Sequence, residues 1–379
     1  MRVTNASTYR NYTSQVNTVH ANLNKSLNKI SSGKAYESAA ESPLSYYRGK
    51  EIDNQYMEIL SKDKLITDVK NRLYQQELGV RDIHSTLVND VQKAVLRARN
   101  ATTTDYADAT IRDALLQYEH TMVNDLNAQY QDFYVYGGND ISTPPFELSS
   151  DGKTLTYNHT FPGDTTPKTF VMDLTRQTDG SYAFEFNTGA SSGTEKDLIR
   201  AMSEQGRMDL GYGDIRDRDT LLDTYTGGMN VLTGITSDSM VASQATGSQI
   251  TIDMDYIMEK LTDGPLGLTA KAVWEVNDFL NGEDSDMFDQ LGTILAKIPD
   301  TGHTTSTFYS DLGNKYNLLE NLDLKLNDLQ DSLTEQYKDI LGADPYESVL
   351  EMYNNQYAYN AALQVGSKLM NNSLFDFVR

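Results

Sequence analysis

Five histidines, His20, His84, His120, His159 and His303, are where metal ligation or general acid–base chemistry would begin in this chain. Such chemistry needs these side chains at one point, often at close spacings such as His-Glu-x-x-His. Here they are scattered, and His20 and His84 fall in helical runs where surface or seam-flanking positions are expected. There is no cysteine, which removes thiolate ligands, a cysteine nucleophile and disulfide staples. Carboxylates cluster in "GEDSDMFDQ" and "GYGDIRDRDT", but neither stretch has the glycine spacing of a calcium loop. The chain has no GxxxxGK[ST], no GxSxG, and no GxGxxG opening a helix after a strand. No catalytic, cofactor-binding or metal-binding residue is expected, and no cofactor.

Bulk charge narrows the partners further. The 379 residues carry 32 lysines and arginines against 54 aspartates and glutamates, a formal net charge of −22. Phosphate backbones are held by basic footprints, so nucleic acid is not an expected partner. No acidic residue precedes Glu37, whereas Arg2, Arg10, Lys25, Lys29 and Lys34 do. No apolar run approaches the roughly 18–20 residues of a membrane span, so no membrane insertion is expected. The opening "MRVTNASTYRNYTSQVN" has no apolar h-region and no small-residue cleavage site. Any export is therefore expected to proceed without a cleaved signal peptide.

What remains is packing. An apolar step of seven recurs in four stretches. The first is Tyr9, Val16, Leu23 and Ile30, with Tyr12, Val19 and Leu27 between them. The second runs Ile52, Ile59, Ile66, Leu73, Val80, Leu87, and the third Leu312, Leu319, Leu326, Leu333, Ile340. The last is Val349, Gln356, Leu363, Met370, Phe377, with Gln356 its imperfect member. A seven-step with interleaved spacings of three and four is the seam of helices packed in coiled-coil fashion. The assembly seam is therefore expected at Tyr9, Val16, Leu23 and Ile30 against Leu363, Met370 and Phe377. Leu374, Phe375 and Val378 fall outside it and are candidates for contact with a neighbouring subunit. Tyr353, Tyr357 and Tyr359 give the last helix more apolar surface than one partner covers.

Local signals bound these helices. Gly33 suits a left-handed helix stop, and Ser42-Pro43 an N-cap followed by proline at the first helical position. Gly342, Asp344, Pro345 and Glu347 repeat that grammar. The helix opening at Pro43 is expected to continue to about residue 99, roughly 85 Å at about 1.5 Å per residue. A further helix is expected from 106 to about 130, and helical periodicity from 267 to 296, ending before Pro299 and a "DTGHTTST" loop. Asp151-Gly152 and Asp179-Gly180, each between alternating apolar runs, predict two β-hairpins. The expected fold is mainly α with an inserted β-rich or mixed domain. Long antiparallel helices from both termini would form a coiled-coil-like rod.

At both ends the residues carry a resemblance. "KISSGKAYESAAESP" stands where the flagellin superfamily has its serine–glycine turn and alanine-rich stretch. The chain continues "LSYYRGKEID" rather than with flagellin's aspartate-rich, alanine–glycine segment. In this it resembles the hook-associated protein 3 family of hook–filament junction proteins. "NAQYQDFYVYGGNDISTPPF" and "ADPYESVLEMYNNQYAYNAALQVGSKLMNNSLFDFVR" resemble that family too, the tail ending Ser-Leu-x-Asp-Phe rather than in flagellin's Leu-Leu-Arg. The likeness spans roughly the first 145 and last 75 residues; the middle matches loosely.

The resemblance implies a terminal coiled-coil domain (1–42 with 343–379), a helical rod domain (43–140 with 266–342) and an inserted outer variable domain (141–265). It also implies a structural, non-enzymatic part of the bacterial flagellum, extracellular and exported unfolded. Its implied partners are further copies of itself in a ring-like homo-oligomer, hook-associated protein 1, flagellin and, before secretion, an export chaperone. A minor flagellin is the alternative within the same class. An enzyme or ligand-binding module in the inserted domain is the alternative from another.

Overall fold

The structure is a computed structural model that describes residues 5–36, 38–100, 105–204, 206–209, 221–224, 226–244, 252–282 and 286–377. These residues are mostly helical, with a small antiparallel sheet region. They divide into two compact units, one of residues 1–65 with 322–379 and one of 66–321.

In the first unit, α1 (Asn5–Ser32) stops at Gly33, whose φ of +67° is the left-handed conformation that glycine takes without strain. α2 (Pro43–Ser85) begins with proline at its first position, where the missing N–H costs nothing. α10 (Met287–Leu341) and α11 (Pro345–Phe377) are separated by a break in which the Asp344 carboxylate accepts from the Tyr346 and Glu347 amides at 2.8 and 3.2 Å. The two breaks clasp each other. Lys34 and Gly342 form an isolated antiparallel bridge, Ala35 N donates to Leu341 O at 2.7 Å, and Ala343 N to Gly33 O at 2.9 Å. Leu341 lies against Gly49 of α2, and the Lys34 ammonium lies 5.8 Å from the Tyr337 ring centroid. The Tyr337 hydroxyl beside it holds the Lys34 amine above the ordinary lysine value.

The second unit is built on α2 and its continuation, a π-helical segment (Thr86–Val91) followed by α3 (Gln92–Asn100). Leu73, Val80, Ile83, Leu87, Val91, Val95 and Ala98 are fully or almost fully buried along one stripe. Against it pack α4 (Asp105–Leu126) and α9 (Pro265–Leu280), which run antiparallel. Arg112 and Asn277 meet at one end of that pair at 3.4 Å, and Met122 and Thr269 nearer the other at 3.9 Å.

Between α4 and α9 in the chain come β1 (Gln129–Tyr130), β2 (Phe133–Tyr134), β3 (Phe146–Leu148), β4 (Thr154–His159), β5 (Lys168–Arg176) and β6 (Tyr182–Phe186). They are followed by α5 (Glu195–Ser203), β7 (Arg207–Asp209), β8 (Leu221–Asp223), α6 (Gly228–Thr233), α7 (Ser237–Gln244) and α8 (Met254–Thr262). Strands β3 to β6 form one antiparallel sheet in sequence order. Their register sets Phe146 opposite Tyr157 and Tyr157 opposite Phe170, a row of buried rings with centroids 5.2 and 5.8 Å apart.

Both outer strands of this sheet are covered, as exposed strand edges invite unwanted pairing. On β6, the Phe184 amide donates to Thr262 Oγ1 at 2.9 Å. On β3, the Asn127 side chain does the work of a missing strand: its amide donates to Phe146 O at 2.8 Å and its carbonyl accepts from Phe146 N at 3.0 Å. Asn127→Ala removes both bonds and is expected to destabilise the second unit by about 1–3 kcal/mol, at about 0.5–1.5 kcal/mol per hydrogen bond. A fall in the urea midpoint with unchanged m-value checks this.

Both predicted hairpins form, as β3–β4 and β5–β6. Two expectations fail. α10 does not stop at Pro299 but runs through it and through "DTGHTTST". An internal proline costs a helix about 3 kcal/mol, and burial of Ile294, Ile298, Thr301 and Thr305 offsets that loss. The helix predicted over 267–296 is instead interrupted at Asn281-Gly282, where Gly282 takes φ +73°.

Candidate assembly surface

The terminal helices α1 and α11 pack antiparallel, and named contacts fix their register. The Tyr12 hydroxyl donates to Ala362 O at 3.0 Å. The rings of His20 and Tyr359 lie 5.4 Å apart. Asn355 Nδ2 donates to Ser26 Oγ at 2.6 Å, and Lys29 pairs with Glu351 at 3.0 Å. Close approach is possible because Gly366 has no side chain: a Cβ there would run into the Tyr12 ring and hydroxyl.

On α1 the covered positions are Tyr12, Val16, Val19, Leu23, Ser26 and Lys29. Val16 and Leu23 of the expected seam are therefore half-buried, while Tyr9 and Ile30 are exposed, Tyr9 by 53 %. On α11 the covered positions are Ser348, Glu351, Met352, Asn355, Tyr359, Ala361, Ala362 and Gly366. This series keeps the seven-step but runs one residue ahead of Val349, Gln356 and Leu363, and leaves Leu363 45 % exposed. Counting large apolar residues missed it because Met352 and Tyr359 are interleaved on this face with the small or polar Ser348, Asn355, Ala362 and Gly366. The step from Ala362 to Gly366, one helical turn, is the signal that could have found it. α11 carries Met370, Leu374, Phe375 and Phe377 in its last turns. Their side chains, and all of Val378, lie outside the described residues.

A second stripe of α11 is left uncovered. Tyr346, Leu350, Tyr353 and Tyr357 follow one another at helical spacing, and Tyr346 and Tyr357 are 81 and 78 % exposed. Covering such a side chain contributes about 1.5–3 kcal/mol. Tyr359, by contrast, is half-buried against His20.

The residues with chemical potential stay apart. His84 Nδ1 is 2.9 Å from Thr305 Oγ1. His159 is buried beside Tyr157 and Phe161, with Nε2 3.5 Å from Glu204. Among the described residues no three His, Asp or Glu side chains converge as a metal site, and no helix is long and apolar enough to cross a membrane. "GYGDIRDRDT" and part of "GEDSDMFDQ" lie outside the described residues. An open cleft of about 960 Å³ in the second unit is bordered by Phe184, Met258, Glu259, Asp263, Lys271 and Lys297. Its lysines are engaged: Lys297 and Lys271 reach Asp263 at 2.6 and 3.3 Å. Burial pushes the Lys271 amine below its ordinary value, against the pull of Asp263. Burial alone would raise the Asp263 carboxyl, but the two lysines hold it below the usual range.

No family model and no curated protein matches the chain. Solved structures do. A structure described as that of a flagellar hook-associated protein from Vibrio parahaemolyticus is similar over 80 % of this chain and 100 % of its own, with TM-score 0.51 and 14 % identity. FlgL from Bacillus cereus aligns over 78 and 100 % of the two chains, with TM-score 0.41 and 14 % identity. Flagellar hook-associated protein-3 from Legionella pneumophila aligns over 77 and 98 %, with TM-score 0.38 and 10 % identity. The chain and the Vibrio protein share a fold.

Proposed function

We propose that this chain is a structural part of the bacterial flagellum, a junction adaptor that polymerises between hook-associated protein 1 and the flagellin filament. The observation that carries this reading is the α1–α11 pair. It is held by a close approach at Gly366 and by the Tyr12–Ala362, Asn355–Ser26 and Lys29–Glu351 contacts, and it leaves Tyr346, Leu350, Tyr353 and Tyr357 without cover. An exposed aromatic stripe on a terminal helix is a surface for association. The fold shared with a flagellar hook-associated protein supports the same reading.

On this proposal the terminal helices form the coiled-coil domain (1–42 with 343–379). The seam holds Val16 and Leu23; Met370 and Phe377 stand one and two seven-residue steps beyond the exposed Leu363, and on this proposal they join Leu374, Phe375 and Val378 in reaching a neighbouring copy. Residues 43–140 with 266–342 make the helical rod domain, and 141–265 the outer domain. The chain works without catalysis outside the cell, as a ring of copies. Before it reaches that place it is held by an export chaperone.

The test is a strain lacking this protein. It is expected to build hooks and to shed monomeric flagellin into the medium, read by electron microscopy and by immunoblot of the culture supernatant. Filaments retained in normal number would rule out a junction role.

A further inference from the structure

Glu119, in the middle of α4, is fully buried, and neither of its carboxyl oxygens has a hydrogen-bond partner among the described residues. Over it lies the turn joining β3 to β4. Gly152, at φ +72°, comes so close that a Cβ there would strike Glu119 Oε2, with Leu116 beside it. The residues flanking Gly152 are anchored elsewhere. Asp151 accepts from Ser149 Oγ at 2.6 Å and from Lys153 N at 3.2 Å. The Lys153 ammonium rests 3.6 Å from the ring centroid of Trp274 on α9, whose buried indole N–H has no acceptor among the described residues. The turn is thus seated on two buried polar groups that no described protein group hydrogen-bonds.

We propose that the β3–β4 turn is a proton-operated latch, closed on Glu119 while that side chain is an uncharged carboxylic acid and driven open when it ionises.

A buried carboxylate without partners is strongly unfavourable, whereas the neutral acid is tolerated. The groups around Glu119 supply no counter-charge: on α3, which packs on α4, Lys93, Arg97 and Arg99 are all exposed. The turn brings the like charge of Asp151, and Lys153 is drawn off over Trp274. β3 carries Glu147, which is exposed. The inward side of α9 carries Lys271, Glu275 and Asp278. Of these, Lys271 is tied to Asp263, and Asp278 to Tyr182 at 2.5 Å and Arg176 at 3.4 Å. The π-helical segment turns Thr86, Leu87 and Val91 inward, leaving Asp90 exposed. Burial first, and Asp151 second, therefore push the Glu119 acid well above the ordinary carboxyl value of 4.5.

The direction of the pH effect follows. The closed latch binds a proton that the open one releases above about pH 4.5. Closure is fully favoured below that value and is lost as pH rises through the higher value of the closed state. Between the two values the opening constant rises tenfold per pH unit.

Hydrogen exchange of the amides at 149–154 in the full-length chain, corrected for intrinsic rates, measures that constant from pH 5.5 to 8.5. In the native protein its logarithm is expected to climb with pH, with slope one at pH values below that of the closed state and levelling off above it. The emission of Trp274, the single tryptophan, is expected to shift to the red over the same interval as Lys153 leaves the ring. In Glu119→Gln the slope is expected to fall to zero with the turn still closed. A flat profile in the native protein, or a slope of one surviving in Glu119→Gln, overturns the proposal. Should that variant not fold, Gly152→Ala serves as the second arm. It props the turn open, so exchange should be fast and free of the extra pH dependence, and a tenfold rise per unit there also overturns the latch.

Discussion

Gly366→Val is expected to abolish filament attachment while leaving the melting of the 66–321 unit unchanged. The first Cβ already meets Tyr12, and valine adds two methyl groups in the same place. α1 must then move away from α11, which breaks the 3.0 Å bond from the Tyr12 hydroxyl to Ala362 O and separates Ser26 from Asn355. Overpacking costs about 1–3 kcal/mol even in a thick core. This pair has little core to share the strain, because most of its covered positions are only half-buried. On the proposed role the variant should still reach the medium, so the readout is its presence there together with missing filaments. Motile cells with normal filaments would show that α1–α11 packing is not what assembly requires. Leu363→Asp separates the two faces of α11. It adds a charge on the outward side and should spare the pair itself while impairing association with a neighbour.

The second large effect lies in the 66–321 unit. Gly264→Val is expected to cost about 3–5 kcal/mol, in the range reserved for gross steric conflict. Gly264 precedes Pro265 at the start of α9, and its φ of −76° is open to any residue. The constraint is space: a Cβ would strike the backbone carbonyl of Leu232 in α6. That carbonyl cannot retreat, since every residue of α6 is buried and Asn230 ties it to Met202 O at 3.1 Å and Ile235 O at 2.9 Å. Urea unfolding followed by circular dichroism measures the loss. Gly313→Ala is the control, because a Cβ there meets nothing within 4 Å and a helical glycine is disfavoured against alanine. A loss below about 1 kcal/mol for Gly264→Val would mean that α6 yields to the intrusion.

Much of this fold could be read from local chemistry. Ser42-Pro43 and Asp344-Pro345 placed two helix starts, Gly33 one stop, and the two Asp-Gly pairs both hairpins. What escaped was set by distant contacts. α10 survives Pro299 because residues far away in the chain bury its far side, among them Val88 against Gly302. The six-residue π-helical segment has no sequence signature, since Leu87 and Val91 fit an α-helical stripe equally well. The pairing of β4 with β5 was also legible: Phe161-Pro162-Gly163-Asp164 is a turn sequence, closed by Asp164 N on Phe161 O at 3.0 Å with Gly163 at φ +98°, and attention to Asp-Gly pairs passed over it. The candidate surface was half legible. On α1, bulky side chains mark the covered face; on α11, Ser348, Ala362 and Gly366 mark it by being small, and a count of apolar residues passes over them.

The clasp between Lys34 and Gly342 has a mechanical consequence. A pair of continuous helices resists bending because one must be stretched and slid along the other. Here both are interrupted at the same level, and the connector after α1 is bonded both to the end of α10 (Ala35 N to Leu341 O) and to the connector after it (Ala343 N to Gly33 O). Flexure at that level turns both strands together about a common pivot, with no shear between them. On the proposed role, such a pivot would let the terminal pair tilt toward neighbouring copies while the Tyr12–Ala362 and Lys29–Glu351 contacts keep its own register, as a universal joint passes torque between shafts that are not aligned.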